Sequence, residues 1–140
     1  MKITHVSLYV RDQDEAVVWF SEKLGFKKAS DVPLGPESRW VTVSSPHQPS
    51  IEIVLEHESM AQDAAMAEDL RSRVGKSSIL IFEVTDIHQL VAELKAKDVT
   101  VELEPTVYPW GTQSVIVDLY GNKFILSQAP EGGYPTGMEQ

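Results

Sequence analysis

The chain of 140 residues contains no cysteine. This absence excludes disulfide bonds, thiolate metal sites and a cysteine nucleophile. Long apolar runs are also missing, since no stretch approaches the roughly 20 residues that a membrane-spanning helix needs. The N-terminus enters a strand-like pattern directly, without the charged and apolar regions of a secretory signal. We therefore expect a cytoplasmic protein with no membrane association.

Basic side chains are scarce, because 12 Lys and Arg residues stand against 21 Asp and Glu residues and leave a formal net charge of −9. Binding to nucleic acid or to an anionic membrane surface requires a basic face, and none is visible. The hydrophobic content of 42% is ordinary for a globular protein. We predict one domain over residues 1–128 and a flexible tail, 129–140, whose Pro and Gly residues cannot build a core.

The most informative feature of the chain is an internal repeat. His-Val-Ser-Leu-Tyr-Val-Arg-Asp at 5–12 is a strand pattern that closes on Val-x-Asp and runs into a helical stripe. Ile-Leu-Ile-Phe-Glu-Val-Thr-Asp at 79–86 does the same, at an offset of 74 positions. Asp12 and Asp86 stand where each helix begins, so we interpret both as helix caps. Such a duplication predicts two matching half-sheets.

Alternating apolar residues and turn signals complete a βαβββ order in both halves. We predict module one over 1–55, an acidic linker helix over 56–76 and module two over 77–128. The predicted strands that follow the first strand and helix are 26–29, 40–44 and 51–55 in module one, and 100–103, 114–118 and 123–128 in module two. The first strand of module two is predicted over 78–84.

This order and three segments resemble the vicinal oxygen chelate superfamily, which includes glyoxalase I, extradiol dioxygenases and bleomycin-binding proteins. The first segment is the strand at 5–12, and the second is Trp-Phe-Ser-Glu-Lys-Leu-Gly-Phe at 19–26, similar to the family's helix that ends in Leu-Gly-Phe. The third is Asp-Leu-Tyr-Gly-Asn-Lys-Phe-Ile-Leu at 118–126, similar to the family's last turn and strand. The resemblance implies an α+β, glyoxalase-like fold in which two βαβββ modules form paired, cupped mixed sheets around a cavity.

Metal-using members of the resembled superfamily carry their ligands on the first and last strands of each module. Transferred to this chain, those positions are His5, Glu52, Ile79 and Ile125. An isoleucine side chain cannot ligate a cation, and a transition-metal centre normally holds three or four protein ligands. We therefore expect no cofactor. The alternative is a divalent metal held by His5 and Glu52 together with ligands that the sequence does not reveal.

His5 and Glu52 lie on the strand faces opposite to the apolar stripes, so both are predicted to face the cavity. A carboxylate beside an imidazole fixes its tautomer and raises its basicity, which suits general acid–base catalysis. The pair would otherwise satisfy its own polar groups without chemistry, or contribute to a metal site. The sequence is compatible with all three interpretations.

The rest of the cavity wall is predicted from the same alternation and from two tryptophans near a strand edge and a loop. It combines apolar surface with a few hydrogen-bonding groups, as small-molecule sites do. The candidate ligand-binding residues are Ser7, Tyr9, Trp40, Ile79, Ile81, Glu83, Trp110, Ile125 and Ser127. For the tryptophans, packing in a core or interface is the alternative.

These features predict a metal-independent member of the resembled superfamily that binds a small, partly apolar molecule for sequestration or resistance. One alternative is a metal-dependent lyase, isomerase or dioxygenase of the glyoxalase type. Another is a partner-binding protein that uses the acidic 56–76 helix. The resemblance also implies a homodimer, with the modules paired within one chain or swapped between chains.

Overall fold

The computed structural model describes residues 1–133, and their contacts divide the chain into two compact units. Unit 1 is Met1–Ser78 together with the turn Leu119–Asn122, and unit 2 is Ile79–Asp118 together with the chain from Lys123 onward. The predicted tail lies outside the described residues from position 134 onward. The assignment of residues 1–128 to a single domain stays a prediction.

Each unit follows the strand–helix–three-strand order that the repeat predicts. The elements of unit 1 are β1 (His5–Tyr9), α1 (Gln13–Leu24), β2 (Lys27–Pro33), β3 (Arg39–Ser45), β4 (Gln48–Glu56), a 3₁₀ helix (Glu58–Met60) and α2 (Ala64–Ser72). Those of unit 2 are β5 (Leu80–Glu83), α3 (Ile87–Ala96), β6 (Thr100–Tyr108), β7 (Gly111–Val117) and β8 (Lys123–Gln128). Within residues 1–133, no helix is both long and apolar enough to cross a membrane.

The sheets have the same strand order, β1-β4-β3-β2 in unit 1 and β5-β8-β7-β6 in unit 2. In both, the first and last strands of the unit run parallel, and the other pairs are antiparallel. The described part of the chain thus forms two four-stranded mixed sheets with three α-helices. The predicted α+β class is confirmed.

The core of each unit lies between its long helix and one face of its sheet. In unit 1, Leu8 of β1 and Leu55 of β4 are in register and fully buried, together with Phe20 of α1. In unit 2, Phe124 of β8 is fully buried with Leu94 of α3. Because side chains alternate along a strand, the opposite face of each sheet is left for other contacts.

Both predicted helix caps are confirmed. The Asp12 carboxylate accepts a hydrogen bond from the backbone N–H of Glu15 at 2.9 Å, and α1 ends at Gly25 in the left-handed conformation. The Asp86 carboxylate accepts from the backbone N–H of Gln89 at 3.1 Å. These bonds satisfy N–H groups that a helix leaves without partners in its first turn.

The prediction of one continuous linker helix over 56–76 is wrong. β4 continues to Glu56, a 3₁₀ helix follows, and α2 covers only nine residues. The Met60 sulfur accepts from the backbone N–H of His57 at 3.4 Å, and Asp63 caps α2 through the N–H of Met66. These local hydrogen bonds separate the segment into two short helices.

Several predicted strand limits are also wrong. β2 continues to Pro33, β6 continues through Pro105 to Tyr108, and β5 is shorter than 78–84. The pairing shifts register between Lys28 and Ser30 and again within β6. A bulge interrupts the period of two along the sequence, so the pattern underestimates the length of β2 and β6.

The turn between β7 and β8 fastens the end of β1 within unit 1. Asn122 is buried; its amide nitrogen donates to the carbonyl oxygen of Tyr9, and its amide oxygen accepts from the backbone N–H of Ser77, both at 3.1 Å. The Tyr120 hydroxyl donates to the carbonyl oxygen of Asp12 at 2.9 Å. Burial raises the pKa of Tyr120, which keeps the hydroxyl protonated as a donor.

A pair of glycine substitutions tests this attachment. Gly75 and Gly25 both have positive φ, so alanine at either position should cost about 1–2 kcal/mol in the free energy of unfolding. A Cβ at Gly75 would collide with the carbonyl oxygen of Tyr120, whereas a Cβ at Gly25 meets open space. We expect Gly75→Ala to lose about 1–3 kcal/mol more than Gly25→Ala in urea unfolding. Equal losses would show that the turn does not pack against Gly75.

Candidate functional site

His5 and Glu52 are neighbours on the face of the unit 1 sheet that is turned away from its core. The parallel pairing of β1 with β4 sets the two residues directly opposite each other. The Nε2 atom of His5 lies 3.9 Å from the Oε2 atom of Glu52, which allows an ion pair but is too long for a direct hydrogen bond. The side chains are 40% and 27% exposed, so both are accessible to a ligand.

The other carboxylate oxygen of Glu52 is held by hydroxyls from two further strands. Thr42 of β3 donates to Oε1 at 2.5 Å, and Ser30 of β2 donates to the same atom at 3.3 Å. Thr42 and Ser30 are themselves paired in register, and Thr42 is fully buried. The orientation of Glu52 is therefore fixed. Among residues 1–133, its Oε2 atom receives no hydrogen bond.

Trp40 forms the aromatic part of this group. Its ring centroid lies 5.7 Å from that of His5, with an interplanar angle of 63°, which is an edge-to-face arrangement. The imidazole of His5 has a second contact, since its Nδ1 atom lies 2.9 Å from the Thr4 hydroxyl. Trp40, which the sequence proposes as a ligand contact, therefore lies beside the imidazole.

An ion cluster fixes the β2–β3 hairpin that carries Trp40 and Ser30. Arg39 donates to Asp31 at 2.8 and 3.0 Å and to Asp14, at the start of α1, at 3.0 and 3.2 Å. The hydrogen bond from Arg39 holds the pKa of Asp31 well below its usual range. The hairpin is thus linked to α1. Within the hairpin, Asp31 directly follows Ser30 in the sequence, and Arg39 directly precedes Trp40.

Ser7 and Tyr9 continue the same face along β1. The Ser7 hydroxyl donates to the carboxylate of Glu56 at 3.1 Å. The Arg73 guanidinium lies 5.7 Å from the centre of the Tyr9 ring, a cation–π distance. The structure therefore brings the unit 1 candidates, His5, Ser7, Tyr9, Trp40 and Glu52, onto one face.

Four residues of this face are missed by the sequence reasoning: Ser30, Thr42, Glu56 and Arg73. Thr42 stands between two buried valines, so the alternation along β3 could have identified it. Ser30 follows a register shift, and Arg73 comes from the segment after α2, so neither carries a comparable signal.

Unit 2 presents a different chemistry on the corresponding face of its sheet. Ile81 is in register with Ile125, and Glu83 with Ser127. Ile81 is 63% exposed, whereas Ser127 is buried. Ile79 lies just before β5 and is 52% exposed. A branched hydrocarbon, Ile79, thus stands at the repeat position of His5, and the neighbouring register pair on this face is two isoleucines.

Trp110 lies apart from the other unit 2 candidates, in the turn between β6 and β7. Its ring stacks on that of Tyr108, with centroids 5.0 Å apart and an interplanar angle of 5°. It remains 40% exposed. An exposed stacked pair offers a flat aromatic surface at the tip of the hairpin.

Few side chains that could ligate a metal lie close together within residues 1–133. Within residues 1–133, no three His, Cys, Asp or Glu side chains form a group that could hold a metal ion. His5 and Glu52 supply two donors, one fewer than the smallest ordinary site. One oxygen of Glu52 is already engaged by two hydroxyls.

Known proteins of similar sequence and structure cover nearly the whole chain. YurT of Bacillus subtilis (strain 168) is 37% identical over 131 residues, which is 91% of this chain and 99% of YurT. The crystal structure of UcmS2 is 32% identical, with a TM-score of 0.79 over 91% of this chain and 97% of UcmS2. TnmS3, an antibiotic binding protein from Streptomyces sp. CB03234, is 26% identical, with a TM-score of 0.73 over 93% and 97% of the chains.

The family match covers nearly all of both modules. Residues 2–126 match the sequence profile of the Glyoxalase/Bleomycin resistance protein/Dioxygenase superfamily. The resemblance seen in the three sequence segments is thereby confirmed. This chain belongs to the Glyoxalase/Bleomycin resistance protein/Dioxygenase superfamily.

Proposed function

We propose that this protein binds a small, partly apolar molecule without a metal cofactor, and that holding this molecule is its function. The observation that carries the proposal is the arrangement on unit 1, where Trp40 and His5 stand beside a fixed and accessible Glu52 carboxylate. An aromatic surface with a few oriented polar groups is the usual composition of a small-molecule site.

The similarity to TnmS3 supports binding as the function. TnmS3 is an antibiotic binding protein, and the match to it covers 93% of this chain. Sequestration of a small molecule, as in resistance, is the concrete form of the proposal. Ile79, Ile81, Glu83, Trp110, Ile125 and Ser127 stay predicted ligand contacts, and the cytoplasmic location stays a prediction.

A metal-dependent lyase, isomerase or dioxygenase stays the alternative. It would need at least one ligand beyond His5 and Glu52, and no such group is present in the described part of the chain. The donor set therefore favours binding without a metal. An acid–base role for His5 and Glu52 is compatible with their 3.9 Å separation, because catalytic hydrogen bonds are often long before substrate binds.

Ligand screening with an internal control tests the proposed function. We expect small aromatic molecules to shift the indole N–H resonance of Trp40, identified with Trp40→Phe, in heteronuclear NMR spectra. Trp40→Ala should weaken the binding of these ligands by about tenfold, followed on backbone amide resonances of β1 and β3, since an aromatic contact and its buried area are lost. Trp19 belongs to the core of unit 1, so its indole resonance should stay unchanged. Hits that leave Trp40 unaffected would contradict the proposal.

We also propose that the protein forms a homodimer. Two large apolar side chains at the start of unit 2, Ile79 and Ile81, are 52% and 63% exposed in the single chain. They lie at or beside β5, an edge strand of its sheet. Apolar surface at a sheet edge favours association with another chain.

Light scattering after size exclusion tests the dimer. We expect about twice the chain mass of 15.6 kDa for the unmodified protein. Ile81→Glu should shift it towards the monomer, because a charge would have to be buried in the contact. Leu34→Glu is the matched control, since Leu34 is 54% exposed in the β2–β3 loop. A monomer at tens of micromolar would refute the dimer, and dissociation by both variants would refute the assigned surface.

A further inference from the structure

We propose that the ligand is an aromatic molecule whose ring carries a hydroxyl group, and that aromatic acids are rejected. This assignment rests on the proposed function and names the ligand class for the same site. It follows from the space between the imidazole of His5 and the carboxylate of Glu52, together with the position of Trp40.

The gap between His5 and Glu52 has the size of one bridging polar atom. The Nε2 atom of His5 and the Oε2 atom of Glu52 are 3.9 Å apart, so no direct hydrogen bond joins them. An oxygen placed about 2.8 Å from each would hydrogen-bond to both. Because Oε1 is engaged by Thr42 and Ser30, the carboxylate cannot turn to close the gap without losing those bonds.

A hydroxyl group matches the hydrogen-bonding character of the two atoms. The Oε2 atom of Glu52 is an acceptor, so the bridging group must donate to it. The Nδ1 atom of His5 lies 2.9 Å from the Thr4 hydroxyl. When that hydroxyl donates to Nδ1, the Nε2 atom carries the hydrogen and donates to the bridging group. A hydroxyl donates and accepts at the same oxygen, which satisfies both partners.

The position of Trp40 supplies the aromatic part of the assignment. Its ring lies edge-to-face with His5, so a planar group bonded in the gap would lie beside the indole. Trp40 belongs to β3, and Arg39 links the hairpin that carries it to Asp14 of α1. A preorganised aromatic surface favours a rigid planar ligand over a flexible chain, because less ordering entropy is lost.

The charge of this face disfavours acids. Glu52 and Glu56 both lie on it, and Arg73 stands at the far end beside Tyr9. A ligand carboxylate in the gap would meet the Glu52 carboxylate at hydrogen-bond distance, where like charges repel. The net charge of −9 adds a repulsive field for anions over the whole chain.

Three probes with the same ring system separate these contributions. Naphthol donates and accepts, methoxynaphthalene only accepts, and naphthoate is an anion, all substituted at the same ring position. From the shift of the Trp40 indole resonance, we expect naphthol to bind with about tenfold higher affinity than methoxynaphthalene. Methoxynaphthalene cannot donate a hydrogen bond to the charged Glu52 carboxylate. Naphthoate should bind more weakly than both.

Substitution of the carboxylate gives the matched test. Glu52→Gln should weaken the binding of naphthol by about tenfold and leave the affinity for methoxynaphthalene unchanged. The unchanged affinity for methoxynaphthalene would show that the site is still folded. Glu22→Gln removes the same charge from an exposed position on α1, so naphthol affinity should not change.

The outcomes distinguish this assignment from the proposed function. If all three probes shift Trp40 with equal affinity, or if Glu52→Gln leaves naphthol unchanged, a small molecule binds but the ligand class is wrong. If none of the probes shifts Trp40 up to millimolar concentration, the ligand class is overturned, whereas the proposed function is overturned only if the ligand screen also yields no molecule that shifts Trp40.

Discussion

The carboxylate of Glu52 is bound on one oxygen by hydroxyls from two neighbouring strands, and this contact determines the rest of the site. Thr42 and Ser30 both donate to Oε1, which leaves Oε2 directed toward His5. A carboxylate that accepts hydrogen bonds from a rigid sheet loses little further freedom when a ligand binds. The gap beside the imidazole depends on this arrangement, and the Trp40 ring lies edge-to-face with the imidazole on the same sheet face.

The two units share one architecture and differ in the chemistry of one sheet face. The repeat places Ile79 of unit 2 where unit 1 has His5, and the next register pair on that face, Ile81 with Ile125, is also hydrocarbon. The cores of both units remain apolar and are each covered by a long helix. Folding requires the apolar face in both units, whereas the opposite face carries different residues in each, as expected where fold and function are separable.

Much of the fold could be predicted from the sequence because local signals agreed with it. The repeat, the caps at Asp12 and Asp86 and the alternation around His5 depend on neighbouring residues, so they are visible along the chain. Ser30 reaches Glu52 only because a bulge resets the register of β2, and such a shift depends on the partner strand. The linker was predicted as one helix because its composition favours helix, whereas hydrogen bonds of His57 and Asp63 divide it. Composition does not encode those contacts.

The metal content of the untagged protein, purified without chelator and dialysed, tests most directly whether this site works without a metal. Plasma mass spectrometry should find well below one transition-metal equivalent per chain in protein that is fully folded. Two donors on one sheet face bind a divalent ion too weakly to retain it through dialysis. About one equivalent per chain or per dimer would contradict the account, because His5 and Glu52 would then belong to a metal centre.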